Sequence, residues 1–178
     1  MKFLKRAGNL FIEHTAFLVL ALIAVTTVFS KAIDVGRPRT VFSSVMCFMF
    51  AAAVYANSWN NCARDYRSYK IVLRHNPDTK PFNIFKGFVY AVPYAVLNFA
   101  FAVLADRLGG VTLIVYKIFN LPFTGFVLDA KNNVLLLGSL GVSAVAVLFS
   151  GLGYIVGKTG FSISENVLPK FIYKQNKK

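Results

Sequence analysis

The stretch VLLLGSLGVSAVAVLFSGLGYIVG, Val134 to Gly157, decides the fold, because it carries no ionisable side chain except Tyr154. As a helix rising 1.5 Å per residue it would be about 36 Å long, enough to cross the roughly 30 Å hydrocarbon core of a bilayer. Its small residues are ordered. Ser139, Ser143, Ala146, Ser150, Gly153 and Gly157 recur at steps of three and four, so they line one helix face and end in a small-xxx-small step. Such a face lets another backbone approach closely.

Upstream, the run 87–105 offers a matching row in Gly87, Ala91, Ala95, Asn98, Ala102 and Ala105. The two rows predict that these helices pack face to face, with Asn98 buried between them and hydrogen-bonded across the contact. Pro93 predicts a kink, since it has no amide proton for the carbonyl of Val89. Two further apolar runs precede these. Residues 40–59 are free of charge, and residues 10–33 contain Glu13, His14 and Lys31. The basic opening Lys2, Lys5, Arg6 before the first run also suits a signal peptide cleaved near Val28 and Ser30, but the spans that follow favour a first helix that stays in the bilayer.

The whole composition agrees with a membrane solvent. Of 178 residues, 56% are hydrophobic and 15% charged, against about 25% charged in an ordinary soluble domain. Mean hydropathy is +0.57. A net charge of +13 raises nucleic acid as a partner. The basic residues flank apolar runs, however, so the anionic partner expected is the inner lipid leaflet and no nucleic acid is expected. Cys47 and Cys62 belong to no Cys/His cluster, so neither a disulfide framework nor a metal site is readable.

Charge placement sets the threading. Four spans with the N-terminus inside place fourteen Lys and Arg on the inner side and six on the outer side. The inner set lies in the opening residues, the loop 60–86 and the tail 158–178. By the positive-inside rule this predicts a multi-pass protein of the cytoplasmic membrane with both termini cytoplasmic. The stretch 111–128 is apolar but broken by Lys117, Asn120, Pro122 and Gly125. As a fifth span it would throw the basic tail outside, so it is read as an outer interfacial or re-entrant segment. The expected fold is an all-α, four-transmembrane-helix bundle forming a single membrane domain over residues 1–178.

Two polar groupings are candidate sites. Asn57, Asn61 and either Arg64 or Asp65 share a helix face where the second helix leaves the bilayer and continues to about His75. The bland account of this cluster is an aromatic and amide belt with Trp59 and the nearby tyrosines. Glu13 and His14 are candidates because charge in hydrocarbon is costly, although near a helix end they can snorkel. No nucleophile-base set, phosphate loop or carboxylate pair is present, so no catalytic residue and no cofactor is assigned and the protein is not expected to be an enzyme. A membrane enzyme would need a hidden site from Glu13, His14, Arg64 and Asp65. The tail has a possible capping box, Ser162 with Glu165, opening a short helix limited by Pro169 on the inner leaflet.

In layout the chain resembles uncharacterised four-helix integral membrane proteins of Gram-positive bacteria. Arg64-Asp65-Tyr66 after the second run, Lys86-Gly87 with Pro93 entering the third, and Tyr116 followed by Asn120-Leu121-Pro122-Phe123 carry the resemblance. It implies a bacterial cell membrane and no assigned activity. The expected role is a small non-catalytic subunit or scaffold, packing against itself or a larger membrane protein through its small-residue faces. The alternative is a small channel or transporter with a polar path near Asn98 and Asn57/Asn61.

Overall fold

A computed structural model of the chain describes residues 2–27 and 37–160. Its elements are α1 (Lys2–Thr27), α2 (Arg37–His75), α3 (Lys86–Leu108), α4 (Gly110–Phe119), a 3-10 turn (Leu121–Phe123), α5 (Thr124–Val127) and α6 (Leu136–Thr159). The protein is all-helical, and α1, α2, α3 and α6 are long and apolar enough to cross a membrane. Among the described residues the only extended pairing is the isolated bridge Leu128–Val134. Val28 and Ser30 of the disfavoured cleavage site, and the tail with Ser162, Glu165 and Pro169, lie outside the described residues.

α1 begins at Lys2, well before the expected Leu10, because Ala7 and Leu10 already face the core. α2 runs 39 residues without a break. That is about 58 Å, so nearly half of it extends past a 30 Å slab. It has no Gly or Pro between Arg39 and Asn76, and it stops where Pro77 disfavours a helical residue before it. The Asn76 side chain then accepts a hydrogen bond from the Asp78 amide at 3.3 Å, closing the turn. α3 continues through Pro93 as one helix.

α6 sits at the centre, with its most extensive contacts to α2 and α3. Its small residues serve both neighbours. A Cβ on Gly153 would lie 2.3 Å from the Tyr55 carbonyl oxygen and one on Gly157 2.6 Å from that of Trp59, so this end of the stripe is pressed against α2. On the α3 side, Gly87 lies against the Ser150 carbonyl and Tyr154. Ser150 ties all three helices, since its hydroxyl donates to the Gly87 carbonyl at 2.8 Å and meets the Ser58 hydroxyl at 2.8 Å.

The stretch 111–128 folds as a bent pair. α4 and the segment Leu121–Val127 meet at 78°. Gly109 and Gly110, with φ of 60° and 48°, turn the corner from α3 into α4. The bend packs among α1, α2 and α6, burying Asn120, Pro122 and Phe123. α4 itself keeps Val111, Ile114, Val115 and Ile118 exposed and buries Tyr116. Gly138 makes the return possible, because a Cβ there would sit 1.8 Å from the Phe126 carbonyl oxygen.

Candidate functional site

Polar side chains form three tiers along the bundle. At one end, the Arg6 guanidinium of α1 makes a two-pronged ion pair with the Asp65 carboxylate of α2. Tyr154 of α6 donates to the same carboxylate at 2.8 Å, and Arg6 also donates to the Tyr90 hydroxyl of α3 at 3.2 Å. Four helices therefore converge on one charge pair. Burial would push the Asp65 carboxyl up, but the hydrogen bonds from Arg6 and Tyr154 outweigh it and hold the group below the usual aspartate range. The same pairing holds the Arg6 guanidinium above its ordinary value.

The middle tier begins about 11 Å further along α1 and α2, from the rise per residue. Asn57 donates to Glu13 at 2.5 Å, and Asn61 donates to Asn57 at 3.1 Å. The other Glu13 oxygen is buried without a hydrogen-bond partner. His14 is wholly buried at 0% exposure, stacked on Phe119 with ring centroids 4.1 Å apart. Its Nε2 lies 2.9 Å from the Phe119 carbonyl oxygen and its Nδ1 2.5 Å from the Tyr94 hydroxyl. A carbonyl oxygen only accepts, so Nε2 carries the proton and Tyr94 donates to Nδ1. The imidazole thus pins the α4 end of the bend to α3 through α1. Sequence reading places His14 near the mouth of the bundle; the early start of α1 moves it to mid-helix instead.

Asn98, at 2% exposure, donates to the Ser143 hydroxyl at 3.0 Å across the α3–α6 contact. Ser143 passes the bond to the Ser139 carbonyl at 2.9 Å, and the Ser139 hydroxyl pairs with Tyr116 of α4. The oxygens of the Asn98 and Asn120 carboxamides, like that of Glu13, are buried without a partner.

The far end is closed by Arg39 of α2, which is 5% exposed. It donates to the Asn132 side chain at 2.6 Å and to the Asp129 carbonyl at 2.8 Å, with a longer contact to the Leu128 carbonyl at 3.4 Å. Nearby, the Ser43 hydroxyl accepts from the Gly125 amide at 2.8 Å. α2 therefore holds the outgoing limb of the bend by its backbone.

The residues singled out from sequence fall into different places. Ser139, Ser143, Ser150, Gly153 and Gly157 lie in the α6 contacts, and Ala91, Ala102 and Ala146 lie in the buried core, with Ala95 half-buried at its edge. Asn57, Asn61 and Glu13 are joined, Asp65 belongs to the Arg6 pair, and Arg64 is exposed. Sequence reading missed Arg6, Arg39, Tyr94 and Tyr116 as site residues. For Arg6 and Asp65 a signal existed, since opposite charges flank two neighbouring runs at the same expected membrane level. Among the described residues no three His, Cys, Asp or Glu side chains stand close enough to hold a metal ion. No protein family, characterised protein or solved structure matches the chain.

Proposed function

We propose that this chain is an integral protein of a bacterial cytoplasmic membrane, crossing it four times with both ends inside, and that it serves as a small non-catalytic subunit or scaffold. The observation that carries the reading is the inside-out sorting of the helices. The small and polar side chains of α6 turn inward, while Leu137, Leu140, Leu148 and Leu152 on the same helix are exposed, which suits lipid and not water. The tiers of Arg6 and Arg39 would then lie near the two headgroup layers, and the bent α4–α5 pair would be a re-entrant hairpin entering from the outer side.

The small-residue face of α6 is used within the chain, so the surface for a partner lies elsewhere. The stretch of α2 beyond Asp65 supports that part of the reading. It projects as a helical arm with Arg67, Lys70 and Arg74 and with Ile71 and Val72 exposed. Affinity capture from native membranes tests it: the wild-type chain retains a stoichiometric partner, and Arg67→Glu with Arg74→Glu releases it. Identical capture by both forms would remove the arm from the account.

A second reading, a small channel or transporter, is favoured by the buried unpartnered oxygens of Glu13, Asn98 and Asn120. Groups of that kind are costly to bury and are expected to face a polar path. Purified chain in liposomes that passes no ion or small polar solute would dismiss it.

A further inference from the structure

Between the start of α1, the arm of α2 and the connection to α3 lies a cleft of 470 Å³. Arg6 and Asp65 form its floor, Tyr69, Phe82 and Tyr90 its aromatic walls, and Lys80 and Lys86 its cationic rim. Asp65 already accepts from Arg6 and Tyr154, so its charge is answered at the floor. Neither rim lysine has a carboxylate within ion-pairing distance among the described residues. The first turn of α3 adds no acid. The cleft is therefore a positive pocket with flat apolar walls, and an anion of small cross-section with an attached apolar or polyol part suits it.

We propose that this cleft binds the phosphate of an anionic phospholipid headgroup, with Lys80 and Lys86 as its cationic contacts. The choice of a lipid over a soluble phosphate ester comes from what adjoins the cleft. Phe3 of α1 packs against Tyr90 with ring centroids 5.7 Å apart, and Leu4, Phe85 and Val89, the sequence neighbours of Phe3, Lys86 and Tyr90, are exposed apolar side chains. A headgroup held by the lysines would lay its acyl chains on that surface. The inference rests on the membrane reading above, which places the cleft at the inner headgroup level.

Full-length protein reconstituted in nanodiscs tests it. Discs containing phosphatidylglycerol should retain that lipid through delipidating washes, and discs of phosphatidylcholine should retain none above background. Lys80→Gln with Lys86→Gln should weaken phosphatidylglycerol retention about twenty-five-fold, roughly fivefold for each cation at an anionic surface. Arg107→Gln with Lys131→Gln removes the same charge elsewhere and should leave retention unchanged. Both pairs are exposed, so folding is preserved. Equal retention by the Lys80/Lys86 variant overturns the site. Release of the retained phosphatidylglycerol by millimolar glycerol 1-phosphate in the washes overturns the lipid source. A chain that fails to enter nanodiscs at all refutes the membrane reading itself, a different result from a reconstituted chain indifferent to phosphatidylglycerol.

Discussion

At Asp65 a single carboxylate gathers hydrogen bonds from α1 and α6, and its removal should be felt by the whole bundle. Because the folded group titrates below its unfolded value, its contribution is complete above about pH 4 and disappears as the pH falls through the folded value. Thermal unfolding in detergent should therefore show a midpoint that drops in acid for the parent. Asp65→Asn should lower the neutral-pH stability by about 1–3 kcal/mol, the order expected when a half-buried guanidinium and hydroxyl lose a charged acceptor, and flatten the acid limb. An unchanged acid limb in the variant would mean that another group governs it. Glycines give a second residue-scale expectation. Gly153→Ala forces a Cβ onto the Tyr55 carbonyl and should cost about 1–3 kcal/mol. Gly8→Ala has nothing within 4 Å and should stabilise its helix by about 0.5–1 kcal/mol. Equal melting points for these two variants would contradict the packing of α6 on α2. The small-residue face was legible in the sequence because a three-and-four spacing is a local pattern. The pairing of that face with α3 through Asn98 was legible as well, whereas the contact of Gly153 with α2 was not, since the two lie about a hundred positions apart. His14 shows the limit more sharply: its two hydrogen bonds span 80 and 105 residues, and no local pattern announces them.

Among the elements, α2 follows from a run without Gly or Pro beyond Arg39 and α6 from an uncharged apolar run that stays helical despite its glycines, and their ends fall where Pro77 and Gly160 stop them. The bent pair α4–α5 is different. Its apolar composition suits a span, a surface helix or a hairpin, and the choice is made by tertiary partners: Arg39 on its outgoing backbone, Ser43 on Gly125 and His14 on Phe119. Arg39→Met should free that limb. Hydrogen exchange across residues 124–135 should accelerate by at least tenfold, about 1.4 kcal/mol of local opening and within the usual cost of orphaned buried acceptors. Exchange in α6 below Ser143 should stay as in the parent. Arg39→Lys restores the charge but not the planar fork that reaches two acceptors, so it should recover only part of the protection. Parental exchange in Arg39→Met would show that the hairpin is held by apolar packing alone.

At the scale of the whole molecule, the proposed four-span reading has the cationic flanks set the direction of threading, and hydrocarbon as solvent would account for leucines that face outward on a helix whose serines face in. The bent segment makes this testable without reference to any partner. If α4–α5 is re-entrant, Asp106 and Lys131 lie on one side of the membrane and Lys80 on the other. The most direct measurement is cysteine labelling with a membrane-impermeant maleimide in sealed spheroplasts, using single-cysteine variants made with Cys47 and Cys62 replaced by alanine. Asp106→Cys and Lys131→Cys should both label before lysis and Lys80→Cys only after it, whereas labelling of all three in intact spheroplasts, or Asp106 and Lys131 emerging on opposite sides, would contradict the four-span account.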